Sequence, residues 1–236
     1  MEKIKRLQIL PGEMILPLGL ILLVNYASYF LTRPFTTKLY HYDMTLPIDE
    51  GIPLVPWTVV IYFGCYLFWI VNYVLACRQN RDEAFRFCCA EILAKFACMC
   101  FYILLPTTNV RPAVEGSTIF DELMRLLYQM DAADNLFPSI HCLVSWFCVI
   151  GVRKNPNIPL AYKVFSVLLA VAVFVSTLTT KQHVIVDIIG AVVLAEGAYL
   201  AVGATGLGRA FRRMAEWMYA GILRTGKHFQ TPRKCK

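Results

Sequence analysis

The chain has 236 residues, of which 58% are hydrophobic and 17% are charged. A soluble domain carries about 25% charged residues, so the composition indicates one domain that folds in lipid. The formal net charge is +7, but the basic residues cluster at the chain ends and in short loops between apolar runs. That pattern is typical of membrane orientation and not of a nucleic-acid-binding patch. We interpret the nine cysteines as small hydrophobic residues rather than a disulfide framework.

Six apolar segments are long enough, or nearly so, to cross a bilayer, because a span needs about 20 apolar residues. The fourth is short and depends on its flanks. Helices are expected, since lipid offers no partners for open backbone groups. We predict an all-α fold, a polytopic six-transmembrane-helix bundle. The predicted spans are 14–31, 55–76, 88–105, 138–152, 160–179 and 184–205.

Lys and Arg residues are divided unevenly between alternate loops, with seventeen on one side and five on the other. Positive residues are retained on the cytoplasmic side. Both termini are therefore predicted to be cytoplasmic, with loops 32–54, 106–137 and 180–183 on the outer face. The predicted location of the protein is the plasma membrane.

The domain prediction is one membrane-embedded unit over residues 1–236, with its polar motifs within 106–187. Residues 207–236 are predicted to form a basic cytoplasmic tail. That tail is either an interfacial helix on anionic lipid or a solvated end.

The longest outer loop contains a stretch, 119–130, with helical spacing of apolar residues. It predicts a short amphipathic helix on the membrane surface, which either packs over the bundle or gates the substrate. The apolar positions are Ile119, Leu123, Leu126, Leu127 and Met130.

Three polar clusters interrupt the apolar pattern, and all three fall on the outer side. They are Arg111 with Pro112, the stretch 137–141 (FPSIH), and the stretch 176–187 (STLTTKQHVIVD).

The second cluster opens the fourth predicted span. Pro138 favours a first helical turn, and the N–H groups at a helix start form an anion site. Ser139 and His141 add a hydroxyl and an imidazole, so a phosphate can dock there. Asp134 and Asn135, just upstream, are interpreted as capping or turn residues.

In the third cluster, His183 and Asp187 lie four residues apart and share a helix face. The carboxylate would fix the histidine tautomer and leave the other ring nitrogen free as a nucleophile or base. Lys181 and Arg111 are suited to neutralising phosphate oxygens.

Each cluster also has a purely structural interpretation. Arg111 can be a snorkelling arginine at a loop end, and the stretch 137–141 can be a helix cap with a packed histidine. His183 and Asp187 can form a structural hydrogen bond at the membrane interface. Their joint placement at one membrane face favours a shared site.

The arrangement resembles the type-2 phosphatidic acid phosphatase superfamily, whose pattern is KxxxxxxRP, PSGH and SRxxxxxHxxxD. The resemblance extends to the six-span layout and so covers most of the chain. The matching positions are Arg111, Pro112, Pro138, Ser139, His141, Ser176, His183 and Asp187.

Three positions depart from that pattern. Ile140 replaces a glycine, Leu104 stands at the lysine position, and Thr177 stands at the arginine position. Two phosphate-binding cations are therefore missing, and the hypothesis is that Lys181 supplies one of the lost charges.

The resemblance implies a lipid phosphatase that needs no metal or other cofactor and hydrolyses a phosphomonoester or diphosphate lipid. His183 is then the nucleophile that forms a phosphohistidine, Asp187 orients it, and His141 is the general acid and base. The implied substrate-binding residues are Arg111, Ser139, Lys181 and Ser176.

Three alternatives stay open: a phosphotransferase of the sphingomyelin or inositol phosphorylceramide synthase type, a transporter, and an inactive scaffold. For transport, the best candidate residue is Glu196, a charge inside the sixth predicted span. Glu91 and Lys95 are predicted to pair on their helix. A lipid phosphate and the membrane are the expected partners, without nucleic acid.

Overall fold

A computed structural model describes residues 10–229, with side chains described to residue 221, and these residues are mostly helical. Short 3-10 turns precede the first and fourth helices. The helices are α1 Ile15–Phe30, α2 Arg33–Thr36, α3 Pro47–Glu50, α4 Val59–Cys77, α5 Arg81–Leu104, α6 Ile119–Met130, α7 Ile140–Arg153, α8 Leu160–Thr179, α9 Ile185–Thr205 and α10 Leu207–Phe229.

Five helical stretches are long and apolar enough to cross a membrane, which confirms the prediction of a helical membrane protein. They overlap five of the six predicted spans. The five stretches are Gly12–Thr36, Pro56–Cys77, Arg81–Leu104, Leu160–Thr179 and Ile185–Thr205.

The fourth predicted span corresponds to α7, which has 14 residues. At 1.5 Å per residue it is about 21 Å long, short of the roughly 30 Å of a bilayer core. Ten of its residues are buried, and α4, α5, α8 and α9 pack around it. Because α7 faces protein rather than lipid, its length need not match the membrane.

Gly151 shows how closely α7 approaches its neighbours. A Cβ atom at this position would lie 2.7 Å from Cβ of Ala76 and 3.2 Å from the ring of Phe87. Glycine is therefore required where α7 meets α4 and α5.

The helix α5 begins earlier than predicted, at Arg81, where Asn80 caps it by accepting from the N–H of Glu83. Glu91 and Lys95 form the predicted pair, with 2.8 Å between Oε1 and Nζ and both side chains buried.

Two short strands were not anticipated by the all-α prediction. Strand β1 (Tyr42–Asp43) pairs in parallel with β2 (Thr107–Thr108), which joins the loops that follow α1 and α5. Two residues are too few for an alternating pattern to appear in the sequence. Thr107 Oγ1 also accepts from the N–H groups of Leu136 and Phe137 at 3.0 and 2.8 Å. The pair therefore anchors the segment that leads into α7.

The predicted stretch 119–130 is helical, as α6. The hydroxyl of Thr118 and the carboxylate of Asp121 form a capping box at its start. Met124 and Leu127 are buried and pack with α4, whereas Ile119 is 68% exposed. The apolar residues are thus divided between the bundle and the outer surface.

Most of the predicted basic tail is the helix α10, which packs against α5. Arg212 pairs with Asp82 at 2.6 Å and with Glu216 at 2.8 Å. Gly206, at φ 71°, ends α9 in the left-handed conformation and turns the chain into α10. The part of the predicted tail at 230–236 lies outside the described residues.

Candidate active site

The start of α7 is held by backbone and side-chain contacts. Ser139 is the N-cap, and its Oγ accepts from the N–H of Cys142 at 3.3 Å. Its own N–H donates to the carbonyl of Asp187 at 3.2 Å, which ties α7 to α9. Tyr102 donates to the carbonyl of Pro138 at 2.7 Å. The first turn of α7 therefore presents its N–H groups from a fixed position, as an anion site requires.

His183 immediately precedes α9 and is oriented by that helix. Its Nδ1 lies 3.1 Å from Oδ2 of Asp187, and the same oxygen accepts from the N–H of Val184 at 3.1 Å. Asp187 is 1% exposed and His183 is 8% exposed. A carboxylate at Nδ1 holds the proton there, so Nε2 is left unprotonated and nucleophilic.

The two histidines face one another. The ring centroids of His141 and His183 are 6.2 Å apart, and the ring planes are inclined by 52°. Both side chains line one cavity of about 500 Å³. The structure thus brings together His141, His183 and Asp187, which are distant in the sequence.

Tyr62 and Asp131, which the sequence reasoning missed, complete the surroundings of His141. The Tyr62 hydroxyl lies 3.3 Å from Nδ1 of His141 and donates to Oδ2 of Asp131 at 3.1 Å. Tyr29 donates to the other oxygen of Asp131 at 2.9 Å. Because the single proton of Tyr62 goes to Asp131, Nδ1 of His141 donates to Tyr62. Nε2 of His141 is then the position that exchanges a proton.

The cavity lies between α1 and α4, and its mouth is on the flank of the bundle. Leu22 is 70% exposed, Tyr26 is 59% exposed and Tyr66 is 49% exposed, yet all three line the cavity. The mouth therefore faces the side of the protein rather than its end.

Arg111 does not line this cavity. Its guanidinium donates to the carbonyls of Asp131 and Ala132, at 2.5 and 3.4 Å, and stacks 5.2 Å from the Tyr128 ring. Burial lowers its pKa. Its Nε has no partner among the described residues. Arg111 holds the loop that carries Asp131, and it keeps one free donor.

Lys181 and Ser176 also lie off the cavity. Lys181, at φ 56°, donates from Nζ to the carbonyl of Asp49 at 3.1 Å. Ser176 donates to the carbonyl of Val173 at 2.7 Å and is fully buried. The structure directs both side chains to neighbouring backbone groups.

Uncharged side chains occupy the two positions at which the family pattern has a cation. Leu104 is 81% exposed, and Thr177 donates to the carbonyl of Phe174 at 2.8 Å. Gln182, which the sequence reasoning also missed, is fully buried beside His183. Neither polar atom of its amide has a partner among the described residues. Gln182 is thus a buried amide without a described partner, and its side chain does not line the cavity.

Among the described residues, no three His, Cys, Asp or Glu side chains are grouped to hold a metal ion. The fold and site define a helical membrane protein with a histidine pair at the start of two helices. The model of the PAP2 superfamily matches residues 41–201, which include His141, His183 and Asp187. The chain therefore belongs to the PAP2 superfamily, a group of phosphatase-type enzymes. No curated protein and no solved structure matches the chain significantly.

Proposed function

We propose that this protein is a membrane lipid phosphatase that hydrolyses a phosphomonoester or diphosphate lipid through a phosphohistidine on His183. The observation that carries the proposal is the pairing of His183 with Asp187 at 3.1 Å, facing His141 at 6.2 Å between ring centroids. Both rings line the same cavity, so a nucleophile and a proton donor border one space that a phosphate can enter.

The reaction has two balanced steps. Nε2 of His183 attacks phosphorus in line, the bond from phosphorus to the lipid oxygen breaks, and His141 gives that oxygen a proton. Asp187 stabilises the imidazolium that forms. Water then attacks phosphorus, His141 takes its proton, and the bond to His183 breaks. The first-turn N–H groups of α7, beginning after Ser139, stabilise the charge on the equatorial oxygens.

The four predicted substrate-binding residues receive different roles in this proposal. Ser139 fixes the helix start that binds the phosphate. Arg111 supports the loop bearing Asp131 and offers its free Nε. Lys181 ties the turn between α8 and α9 to the carbonyl of Asp49, and Ser176 bonds within α8.

The proposed setting is the plasma membrane, with six membrane-embedded helices, cytoplasmic termini and the site on the outer face. The excess of Lys and Arg in the opposite loops supports this orientation. The helix α6 then lies at the outer interface, and α10 lies on the cytoplasmic side.

A phosphotransferase is the second candidate, because the same pair of histidines would serve an alcohol acceptor as well as water. A cavity of about 500 Å³ has the dimensions of a drug-sized ligand site and suits a lipid headgroup in either reaction. The transport alternative loses support because Glu196 is fully engaged, by Arg153 at 2.5 and 2.8 Å and by Trp146 at 2.8 Å.

The test is phosphate release by the purified protein from a panel of lipid phosphates, with a chelator present. We expect turnover that is lost in His183→Ala and retained in His41→Ala, a histidine outside the cavity. A covalent phosphohistidine trapped by acid-free quenching should appear in the wild type and in His41→Ala but not in His183→Ala. Turnover that persists in His183→Ala contradicts the mechanism. Silence across the panel favours the scaffold or the transferase, and a phosphodiester lipid with an alcohol acceptor separates those two.

A further inference from the structure

The cavity continues beyond the histidines as a chamber of aromatic rings. The ring of Tyr62 lies 4.4 Å from that of His141, and the ring of Trp69 lies 5.6 Å away. Tyr66 stands at 6.4 Å, at the side mouth. Further aromatic side chains of α1 line the opposite wall. Aromatic faces attract cations, because the ring quadrupole is negative above the plane.

The charge of the chamber is the opposite of what a phosphate needs. Its described lining contains the carboxylates of Asp131 and Asp134 and no Lys or Arg. Asp134 is paired with Arg33 at 3.1 Å. Asp131 forms no ion pair with any described side chain; its oxygens accept only from two tyrosine hydroxyls. The chamber therefore places a carboxylate without an ion-pair partner beside its aromatic faces, while the Arg111 guanidinium binds the main-chain carbonyl of the same residue from outside the cavity.

Unpartnered hydrogen-bond acceptors also line the chamber. Asn135 is 6% exposed, and its Oδ1 has no partner among the described residues. The Thr32 hydroxyl donates its proton to the carbonyl of Ser28 at 2.7 Å. It can therefore only accept from Asn135, which makes the neighbouring amide atom Nδ2 and fixes the orientation of the Asn135 amide. Oδ1 of Asp134 is likewise without a partner. Buried acceptors of this kind are costly unless a ligand donates to them.

We propose that the aromatic chamber binds the organic ammonium group of a zwitterionic phosphodiester lipid, with Asp131 as its counter-ion. The substrate class is then a lipid whose phosphate links diacylglycerol to a short ammonium-bearing alcohol. This inference rests on the His183 chemistry of the proposed function, and for that same site it names a phosphodiester substrate in place of a phosphomonoester.

The chemistry breaks the same bond as in the phosphatase reaction. Nε2 of His183 bonds to phosphorus, the phosphorus–oxygen bond to diacylglycerol breaks, and His141 protonates the leaving oxygen. The phosphorylated ammonium alcohol stays on His183, held by the chamber. Water or an alcohol then attacks phosphorus, gives its proton to His141, and releases His183.

The test compares four lipids with identical acyl chains in mixed micelles: phosphatidate, phosphatidylethanolamine, phosphatidylcholine and phosphatidylglycerol. Diacylglycerol release by the full-length protein is measured, with His183→Ala as the chemical control. We expect either ammonium lipid to react at least about 10-fold faster than phosphatidylglycerol, the neutral-headgroup phosphodiester, a preference within the range of one desolvated cation–aromatic contact. The ethanolamine and choline lipids separate recognition by N–H donation from recognition of charge alone.

The matched variants are Asp131→Asn and Glu122→Gln. The first removes the charge of the chamber without changing its volume, and the second removes a surface carboxylate of α6 that pairs with Arg125. We expect the ammonium preference to fall below about 3-fold in Asp131→Asn and to stay intact in Glu122→Gln.

A binding measurement on the wild type keeps the inference testable if Asp131→Asn does not fold. Phosphoethanolamine or phosphocholine should raise the thermal unfolding temperature by more than glycerol phosphate, which offers a phosphate without the ammonium group. Turnover of phosphatidate that needs His183, with no preference among the phosphodiesters, overturns the inference and leaves the phosphatase proposal standing. Stabilisation by the ammonium probes without turnover of any lipid supports the chamber and overturns the chemistry. Neither stabilisation nor preference overturns the inference.

Discussion

The two ends of α7 differ in how their polar groups are satisfied. At its last turn, Arg153 and Glu196 form a two-pronged ion pair, and Trp146 donates to the same carboxylate. At its first turn lie buried acceptors without partners among the described residues: Oδ1 of Asp187, whose carbonyl accepts from Ser139, and Oδ1 of Asn135 just before the helix. Polar groups that find partners within the chain stabilise the fold, whereas buried groups without them mark a place for a ligand. The difference therefore separates a structural end from a functional one.

The largest expected effect comes from His183→Ala. Loss of a covalent nucleophile costs as much as about 10⁶-fold in turnover number, so the initial rate should fall to the detection limit. His183 forms one side-chain hydrogen bond, to the buried Asp187, so the variant should stay folded with a lower thermal unfolding temperature, because that carboxylate loses a partner. If His183→Ala unfolds instead, the first turn of α7 is needed for stability as well, and the contrast between the two ends of α7 is lost.

A smaller but still large loss is expected from Asp187→Asn. An amide at Nδ1 of His183 favours the wrong tautomer, and in a comparable histidine–aspartate pair this costs about 10⁴-fold in rate. The matched control is Asp82→Asn, which removes the partner of Arg212 at the start of α5, away from the site. Its specificity constant should stay within about 2-fold of the wild type, the scale of a surface pair. Equal losses in the two variants would contradict the comparison.

Glu196→Gln should affect stability rather than catalysis. The Arg153–Glu196 pair is about one third exposed, so solvent screening limits the cost to about 1–2 kcal/mol. Denaturant unfolding in detergent measures this loss, with lipid turnover assayed in parallel. If Glu196→Gln loses function while His183→Ala keeps it, transport becomes the better explanation.

The smallest effect is expected at α6, from Thr118→Ala. Loss of an N-cap hydroxyl costs about 1 kcal/mol, and turnover should be unchanged. Hydrogen bonds from Thr118 lower the pKa of Asp121. A carboxyl with a lowered pKa in the folded state adds stability above its unfolded pKa and loses it as pH falls through the folded value. The stability difference between wild type and Thr118→Ala should therefore shrink in acid, as followed by thermal unfolding.

Sequence patterns predicted the helices and the motif histidines because both depend on local spacing. Apolar runs locate the long helices, and a separation of four residues places His183 and Asp187 on one face. The Glu91–Lys95 pair followed from the same rule.

Spacing does not determine side-chain direction, which explains the residues that were placed differently. Lys181 adopts a positive φ and points to the carbonyl of Asp49, away from the cavity. Tyr62 and Asp131 come from separate segments, so their contact with His141 depends on tertiary packing alone. The shortness of α7 likewise follows from its burial among four helices, which no local pattern reports.

The position of the cavity mouth has a consequence for how a lipid is handled. Because Leu22, Tyr26 and Tyr66 open the site sideways, a lipid substrate of the proposed reaction would enter between two helices while its acyl tails stay among their neighbours. The lipid product would return to the leaflet by the same route, without passing through water. Rates should then follow the mole fraction of substrate in the surface and not its bulk concentration, so that diluting a micelle with inert detergent slows the reaction even at constant lipid.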